Sequence, residues 1–397
     1  MTNSWEETTL KDICVKITDG AHASPKSVDD GLPMASVKDL TPYGINLDSC
    51  RLISESDFDS LVKYGCKPEK GDILVAKDGA TALDTVCEVK NSINVVLLSS
   101  VAILRPNTKK VTSSFLRYYM DSPVTRNYLK GGFITGAAIP RIVLEDFKRS
   151  KIVFPSIKKQ NEITSILSAY DDLIENNSRR IKILEEMAKL IYREWFVEFN
   201  PPAGRAGAPG VKLRKATVEE KKVTGKDQFP EGWEVKKLGD FIELAYGKGL
   251  KSEKRSNDGY PVYGSSGVIG HHQNALVKGP GIIVGRKGNV GSVFWCNEDF
   301  YPIDTVFFVR TNISLYYIFY NLSNQTFLNS DAAVPGLNRE SALMKVSILP
   351  DKNLIDNFER IVTSIFKQIK LLETKNQNLR RTRDLLLPKL VSGEIEV

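Results

Sequence analysis

Two long stretches of this chain place an apolar residue at nearly every seventh position, and the remainder does not. From Ile163 the sevenfold positions are Ile163, Tyr170, Asn177, Leu184 and Ile191, with Ile166, Leu173 and Met187 at the intermediate positions of the same heptad. A later stretch keeps a common register with Phe358, Ile365, Leu372, Leu379 and Leu386. The pattern predicts two amphipathic helices of about 35 to 40 residues, each ~50–60 Å long. Covering a globular core does not require such length. Two helices of matching size pair most simply with one another, as an antiparallel coiled coil. Phe154-Pro155 and Leu349-Pro350 lead into the helices, and Pro201-Pro202 and Pro388 are expected to end them.

Before each helix the pattern changes to short β-branched and aromatic runs broken by turn residues, such as Asp19-Gly20, Gly31 and Asp78-Gly79. One helical stretch stands out in each region, Ser113 to Met120 and Ser314 to Leu322. Each region therefore reads as a β-rich α+β module with a small helix.

The modules repeat. Trp5, Leu10, Asp12 and Pro33 recur at one constant separation as Trp233, Leu238, Asp240 and Pro261. L-V-A-K-D-G around Lys77 and Gly79 has its counterpart in I-V-G-R-K-G around Arg286 and Gly288, and V-A-I-L-R ending at Arg105 in V-F-F-V-R ending at Arg310. The predicted architecture is α+β: two similar β-rich domains joined by two long helices, with pseudo-twofold symmetry. Its boundaries are 1–153 for the first module, 154–200 for the first helix, 201–229 for a Gly/Pro-rich and basic surface linker, 230–349 for the second module, and 350–397 for the second helix and tail.

The chain has 397 residues, 42% of them hydrophobic, enough for two or three cores. Its five cysteines are unclustered, which indicates neither a disulfide framework nor a zinc site. With no long apolar run and no basic-then-apolar leader, a cytoplasmic protein is expected. A net charge of +7 leans toward a polyanionic partner.

No catalytic constellation emerges. The three histidines, His22, His271 and His272, lack metal-ligand spacing, and the glycines between Gly279 and Gly291 lack the G-K-[ST] ending of a phosphate-binding loop. Asn200-Pro201-Pro202-Ala203 imitates the tetrapeptide of adenine methyltransferases, but the aromatic that would stack on a flipped base is missing. Asp72, Glu88 and Lys90 imitate a Mg²⁺-dependent nuclease set that the second module does not repeat. The alternative to a binding protein is thus a stand-alone DNA methyltransferase or Mg²⁺-dependent nuclease.

What does recur is polar loop surface able to donate to phosphates and base edges. In the first module the candidates are His22, Lys26, Lys77 and Arg141. In the second they are Lys248, Lys251, Lys254, Arg255, Ser265, Ser266, His271, His272, Asn274, Arg286, Lys287 and Arg339. Arg141 and Arg339 occupy the same point of the repeat if Ile139-Pro140-Arg141 is matched to Leu337-Asn338-Arg339. Tyr192, Trp195 and Phe196, near the end of the first helix, add aromatic surface for a protein partner to cover.

At this point the chain resembles the specificity subunit of type I restriction-modification systems over nearly its whole length. The resemblance is carried by P-E-G-W-E-V-K-K-L-G-D (Pro230 to Asp240), Y-P-V-Y-G-S-S-G-V-I-G, G-R-K-G-N-V-G and F-P-S-I-K-K-Q-N-E-I (Phe154 to Ile163). The run from Asp171 to Phe196 and L-L-P-K-L-V-S-G-E-I (Leu386 to Ile395) add to it. The resemblance implies two target-recognition domains, each reading half of a bipartite double-stranded DNA sequence. It implies helices that set the spacing and dock two methyltransferase subunits, and two restriction subunits where the system has them. It implies no cofactor and no catalysis in this chain, with S-adenosylmethionine, ATP and Mg²⁺ used by the partners. The residues that contact bases vary within the family, so the candidates above rest on loop chemistry alone.

Overall fold

Continuous apolar runs such as I-L-V-A and V-A-I-L are what a strand buried on both faces requires, and they form the centre of a four-stranded antiparallel sheet. A computed structural model describes residues 5–134, 140–202, 211–327 and 336–397. The chain divides into two units, Met1–Asn177 with Lys375–Val397, and Ser178–Thr374.

In the first unit the sheet runs Cys14–Asp19, Val101–Pro106, Ile73–Ala76, Val86–Glu88. Side chains alternate between its faces with the period of two that a pleated strand imposes. Ile73, Val75, Ala102 and Leu104 enter a core with the small helix Ser113–Asp121 and the long helices, while Leu74, Ala76, Val101 and Ile103 enter a second core with Ala35, Cys87 and Leu97. A three-stranded sheet, Arg51–Ile53, Leu32–Ala35 and Val96–Leu97, lies alongside, its last pair parallel. Glu6–Thr9 pairs with Lys151–Phe154 and ties the start of the module to its end.

The second unit repeats every one of these pairings. Its sheets run Glu243–Tyr246, Val306–Arg310, Gly281–Gly285, Val293–Cys296 and Gly267–His272, Tyr260–Gly264, Tyr301–Pro302, with the last pair of the smaller sheet again parallel. Glu234–Lys237 pairs with Val346–Leu349. Ile282, Val284, Phe307 and Val309 face one core, and Ile283, Val306 and Phe308 the other. The small helix Leu315–Ser323 is capped by Ser314 as its counterpart is capped by Thr112. The repeat read from sequence is thus a repeat of hydrogen-bond register.

The long helices are Ile157–Tyr192 and Lys352–Ser392, and within each unit their segments run antiparallel. In the first unit Asp171 meets Arg383 and Asn177 meets Asn376; in the second, Tyr192 and Trp195 pack on Phe358. Ile163, Asn177, Phe358, Ile365 and Leu372 are buried as the heptad requires. The intermediate positions need correction. Leu173 and Met187 are 51% and 47% exposed, with Ile174 and Ala188 buried in their place, and Leu167 is buried beside the partly buried Ile166. The spacing of the seam is four then three, not three then four. Adjacent apolar pairs such as Leu173-Ile174 satisfy both phases, and the one chosen also lets the first helix face its module.

Proline does not stop the second helix, which continues through Pro388 to Ser392. An interior proline costs about 3 kcal/mol in a helix. Here Leu387, Leu390 and Val391 are all buried in the first unit's core, and their burial, worth roughly 1.5–3 kcal/mol each, outweighs that cost. The first helix gives way after Tyr192 to a wider turn over Arg193–Val197 and then to Phe199 at φ 62°.

The described part of the expected linker is also ordered. Leu213–Lys215 pairs with Gln228–Pro230 around a short helix, Val218–Thr224. Thr217 and Glu220 form a reciprocal cap, Arg214 reaches Glu220 at 2.6 Å, and Phe229 is fully buried against Phe199. All five cysteines are free thiols. No helix among the described residues is long and apolar enough to cross a membrane.

Candidate nucleic-acid interface

The candidate site is built where the first strand of the main sheet ends. In both units that strand is followed by a glycine, because the backbone of the smaller sheet passes too close for a side chain. A Cβ on Gly20 would lie 2.1 Å from the Leu97 carbonyl oxygen, and one on Gly247 2.1 Å from that of Ile303. The residue before each glycine therefore sits at one fixed place, and that residue is Asp19 in the first unit and Tyr246 in the second.

Lys77 and Arg286 approach this place on equivalent backbone. Lys77 N donates to Ser100 O and Arg286 N to Thr305 O, both at 2.9 Å. Their own carbonyls accept from Ile142 N at 3.0 Å and Leu337 N at 2.7 Å. The turn that follows needs a left-handed residue, supplied by Gly79 (φ 96°) and Gly288 (φ 80°). The matching of K-D-G to R-K-G is thereby a matching of structure.

The chemistry mounted on this common frame differs. In the first unit Lys77 is buried and its Nζ lies 3.3 Å from Asp19 and 3.5 Å from Asp78, so its charge is already offset. Lys77 is a structural ion pair, which corrects its assignment as an open DNA contact. The exposed group is His22, whose Nε2 is 3.2 Å from the same Asp19 carboxylate. Arg141 is exposed, and its backbone bridges Asp78. Lys26 is exposed in the loop beyond.

In the second unit the Arg286 guanidinium lies over the Tyr246 ring at 5.0 Å from its centroid and donates through Nη1 to Asp304 O at 3.0 Å. Arg339 approaches the same ring at 5.7 Å. Neither arginine has a carboxylate within ion-pair distance among the described residues. Lys287 is exposed next to them, and the tip of the Tyr260–His272 hairpin joins the cluster. Asn289 Nδ2 donates to Ser266 Oγ at 3.3 Å, and Ser292 Oγ to Ser265 O at 2.8 Å. Lys248, Lys251 and Lys254 are exposed on the segment following Tyr246.

Other candidates fall elsewhere. His271, His272 and Asn274 stand at the opposite end of the strand Gly267–His272, about 20 Å from its tip by strand rise. His272 packs on Tyr301 and shares a hydrogen bond with Asn274 N. Arg255 is turned inward, donating to Leu250 O at 3.1 Å, and braces its loop. The equivalence of Arg141 with Arg339 also needs correction. Ile142 and Leu337 make the same hydrogen bond, so Arg141 corresponds to Gly336, and Arg339 to Leu144. Ile139, the first residue of the sequence match, lies outside the described residues.

Tyr192, Trp195 and Phe196 are 4%, 7% and 2% exposed, which corrects their reading as a docking surface. They pack with Tyr317, Trp233 and Phe358, because the helix turns its aromatic face into the second unit's core. Among the apolar residues of this helix that remain outside are Ile183, Met187 and Leu190, spaced to share one helix face.

The enzyme look-alikes are occupied with structure. Both Asp72 oxygens are engaged, by Arg105 at 2.8 and 2.9 Å and by the Glu69 amide at 2.8 Å, and Glu88 accepts from Ser114 Oγ. Asn200 turns back on Glu194, and Ala203 lies outside the described residues.

A family model described as the type I restriction modification DNA specificity domain matches residues 3–186 and again 230–380. The specificity subunit of the type I restriction enzyme HindI from Haemophilus influenzae is 24% identical over an alignment of 423 residues, covering 87% of this chain and 91% of that protein. That of MjaIX from Methanocaldococcus jannaschii is 24% identical over 315 residues, covering 72% and 70%. The crystal structure of a type I restriction-modification S subunit from M. genitalium shares the fold, with a TM-score of 0.57 at 18% identity across 98% of this chain and 96% of that one. With both copies of the repeat matched, the chain belongs to the type I restriction-modification DNA specificity subunits.

Proposed function

We propose that this chain recognises a bipartite double-stranded DNA sequence, each unit reading one half-site in the major groove, and that it performs no chemistry itself. The observation that carries this reading is the matched frame with unmatched side chains: Asp19 with Lys77 in one unit, Tyr246 with Arg286 in the other. Two copies of one scaffold bearing different donors and acceptors suit two different half-sites. In this reading the target-recognition domains are residues 1–153 and 230–349, and the long helices set the spacing of the half-sites. The exposed apolar face at Ile183, Met187 and Leu190 supports docking of two methyltransferase subunits, to which restriction subunits can be added. S-adenosylmethionine, ATP and Mg²⁺ belong to those partners, and the assembly works in the cytoplasm.

The test is reconstitution. Purified chain incubated with DNA and either S-adenosylmethionine or Mg²⁺ is expected to leave the DNA unmodified. With methyltransferase subunits added, adenines are methylated at one split sequence. Methylation or cleavage by the chain alone refutes the reading and favours the enzyme alternative. Methylation by the complex that ignores this chain's identity refutes it equally.

A further inference from the structure

The geometry points to Arg339 as the residue through which the second unit demands a guanine, with Tyr246 as the surface that orients it. This rests on the DNA-reading function proposed above and assigns the base chemistry of one half-site.

Arg339 differs from every other cation at the site. Lys248 and Lys287 are exposed and free to follow a phosphate, and Arg286 is committed to Asp304 O. The Arg339 side chain makes no hydrogen bond or ion pair with the described residues, and its Nε is shut off from solvent with no acceptor. Its place is fixed from two sides. It is the first residue of the helix Arg339–Leu343, capped by Asn338, and the preceding Leu337 amide is bound to the Arg286 carbonyl. Its guanidinium lies against the half-exposed Tyr246 ring, on which Arg286 also rests. A planar donor group backed by an aromatic face has little rotational freedom left. What remains available is the fork of terminal N–H donors.

That fork matches one base edge best. Guanine offers two adjacent acceptors, N7 and O6, in the major groove, whereas adenine and cytosine present an amino donor there and thymine a single acceptor. With no carboxylate within ion-pair distance among the described residues, the fork is suited to acceptors supplied by the ligand. The first unit cannot make the same demand. Its Tyr246 equivalent is the Asp19 carboxylate, and its Arg339 equivalent is Leu144. A guanine requirement made by this pair is therefore confined to one half-site.

The experiment uses the chain assembled with its methyltransferase subunits, selecting bound DNA from a library randomised over both half-sites. For Arg339→Ala we expect one guanine of one half-site to become freely replaceable, and affinity for the parent's preferred sequence to fall about ten- to hundredfold. The other half-site should be unchanged, which also reports that the variant is folded. Arg339→Lys, keeping the charge without the fork, should relax the same position, and Tyr246→Leu should relax it by releasing the arginine. Lys287→Ala serves as the contrast, weakening all sequences evenly. If Arg339→Ala also weakens all sequences evenly and lowers the slope of log affinity against log salt by about 1, it holds a phosphate and the inference is overturned. An unaltered base profile overturns it as well. A parent complex that selects no split sequence overturns the function it rests on, and the inference falls with it.

Discussion

Asn177 Nδ2 donates to Asn376 Oδ1 at 2.9 Å, with both side chains buried in the seam between the long helices. Asn376 Nδ2 donates in turn to Ile174 O at 3.3 Å. A slip by one turn would set each amide against leucine or isoleucine with no partner, so the pair fixes the register of the helices. Asn376→Leu alone leaves Asn177 buried and unpaired and should cost about 1–3 kcal/mol. The double replacement Asn177→Leu with Asn376→Leu should recover most of that loss. A double-mutant cycle from thermal unfolding checks this, and equal losses for the single and double variants would show that the amides do not act as a pair.

Acid should loosen the first unit at one identifiable carboxylate. Burial acts to raise the Asp171 pKa, but Arg117, Arg383 and Tyr118, at 2.6, 2.6 and 2.8 Å, together bring it below the usual value. A carboxyl depressed in the folded state stabilises the fold above its unfolded value, about 3.9, and that contribution vanishes as pH falls through the folded value. The parent should therefore lose stability below about pH 4 more steeply than Asp171→Asn, and the two unfolding curves should converge in strong acid. A gap that stays constant down to pH 2 would place the effect elsewhere.

The helix surface separates partner binding from folding. Ile183→Asp with Met187→Asp changes only exposed positions and should leave the melting temperature within a degree or two while abolishing co-purification with the methyltransferase subunits. Trp195→Ala removes a buried ring of the second unit's core and should cost about 3–5 kcal/mol. Retained co-purification of the double variant would move the docking face away from this part of the helix.

The helices are expected to act as a ruler. One heptad inserted between Asn177 and Leu184 and another between Leu372 and Leu379 keeps the seam and adds ~10 Å. That is about three base pairs, over which B-DNA turns its groove by roughly 100°. Binding should fall steeply, and three inserted heptads, ~32 Å, should restore it on sites whose spacer is about one turn longer. Selection from a random-spacer library reads the outcome, and unchanged affinity with an unchanged spacer after one heptad contradicts the ruler.

Sequence patterns sufficed for features that depend on periodicity or spacing. The repeat, the two small helices and the equivalence of Lys77 with Arg286 all follow from hydrophobic order and turn residues, and each has a counterpart in main-chain hydrogen bonds. What escaped depended on contacts between distant segments. Heptad phase at Leu173-Ile174 is degenerate in sequence and is decided by what each face packs against. Pro388 reads as a stop until the burial of Leu387 and Leu390 is known. Tyr192, Trp195 and Phe196 read as exposed because nothing in their own segment announces the core of the second unit. The ordered hairpin around Val218–Thr224 is legible in part, since T-V-E-E is a capping signature, although the run before it has the Gly/Pro-rich composition of a surface linker. Tyr246 and Asp19 carried no signal beyond standing before a glycine. Only the approach of Ile303 and Leu97 to those glycines makes the position a focus.

That approach has a consequence for substitution. Gly20 and Gly247 are fixed as glycine by the backbone opposite them, whereas Asp19 and Tyr246 keep the same main-chain pairing, with Ala102 and Phe307, while carrying different side chains. Substitution is therefore tolerated in opposite ways at neighbouring positions. A side chain at either glycine would have to displace backbone, while the residue before it can change together with the lysine or arginine it faces. One frame can thus carry a carboxylate–ammonium pair in one unit and an aromatic–guanidinium pair in the other without a change of main-chain hydrogen bonding.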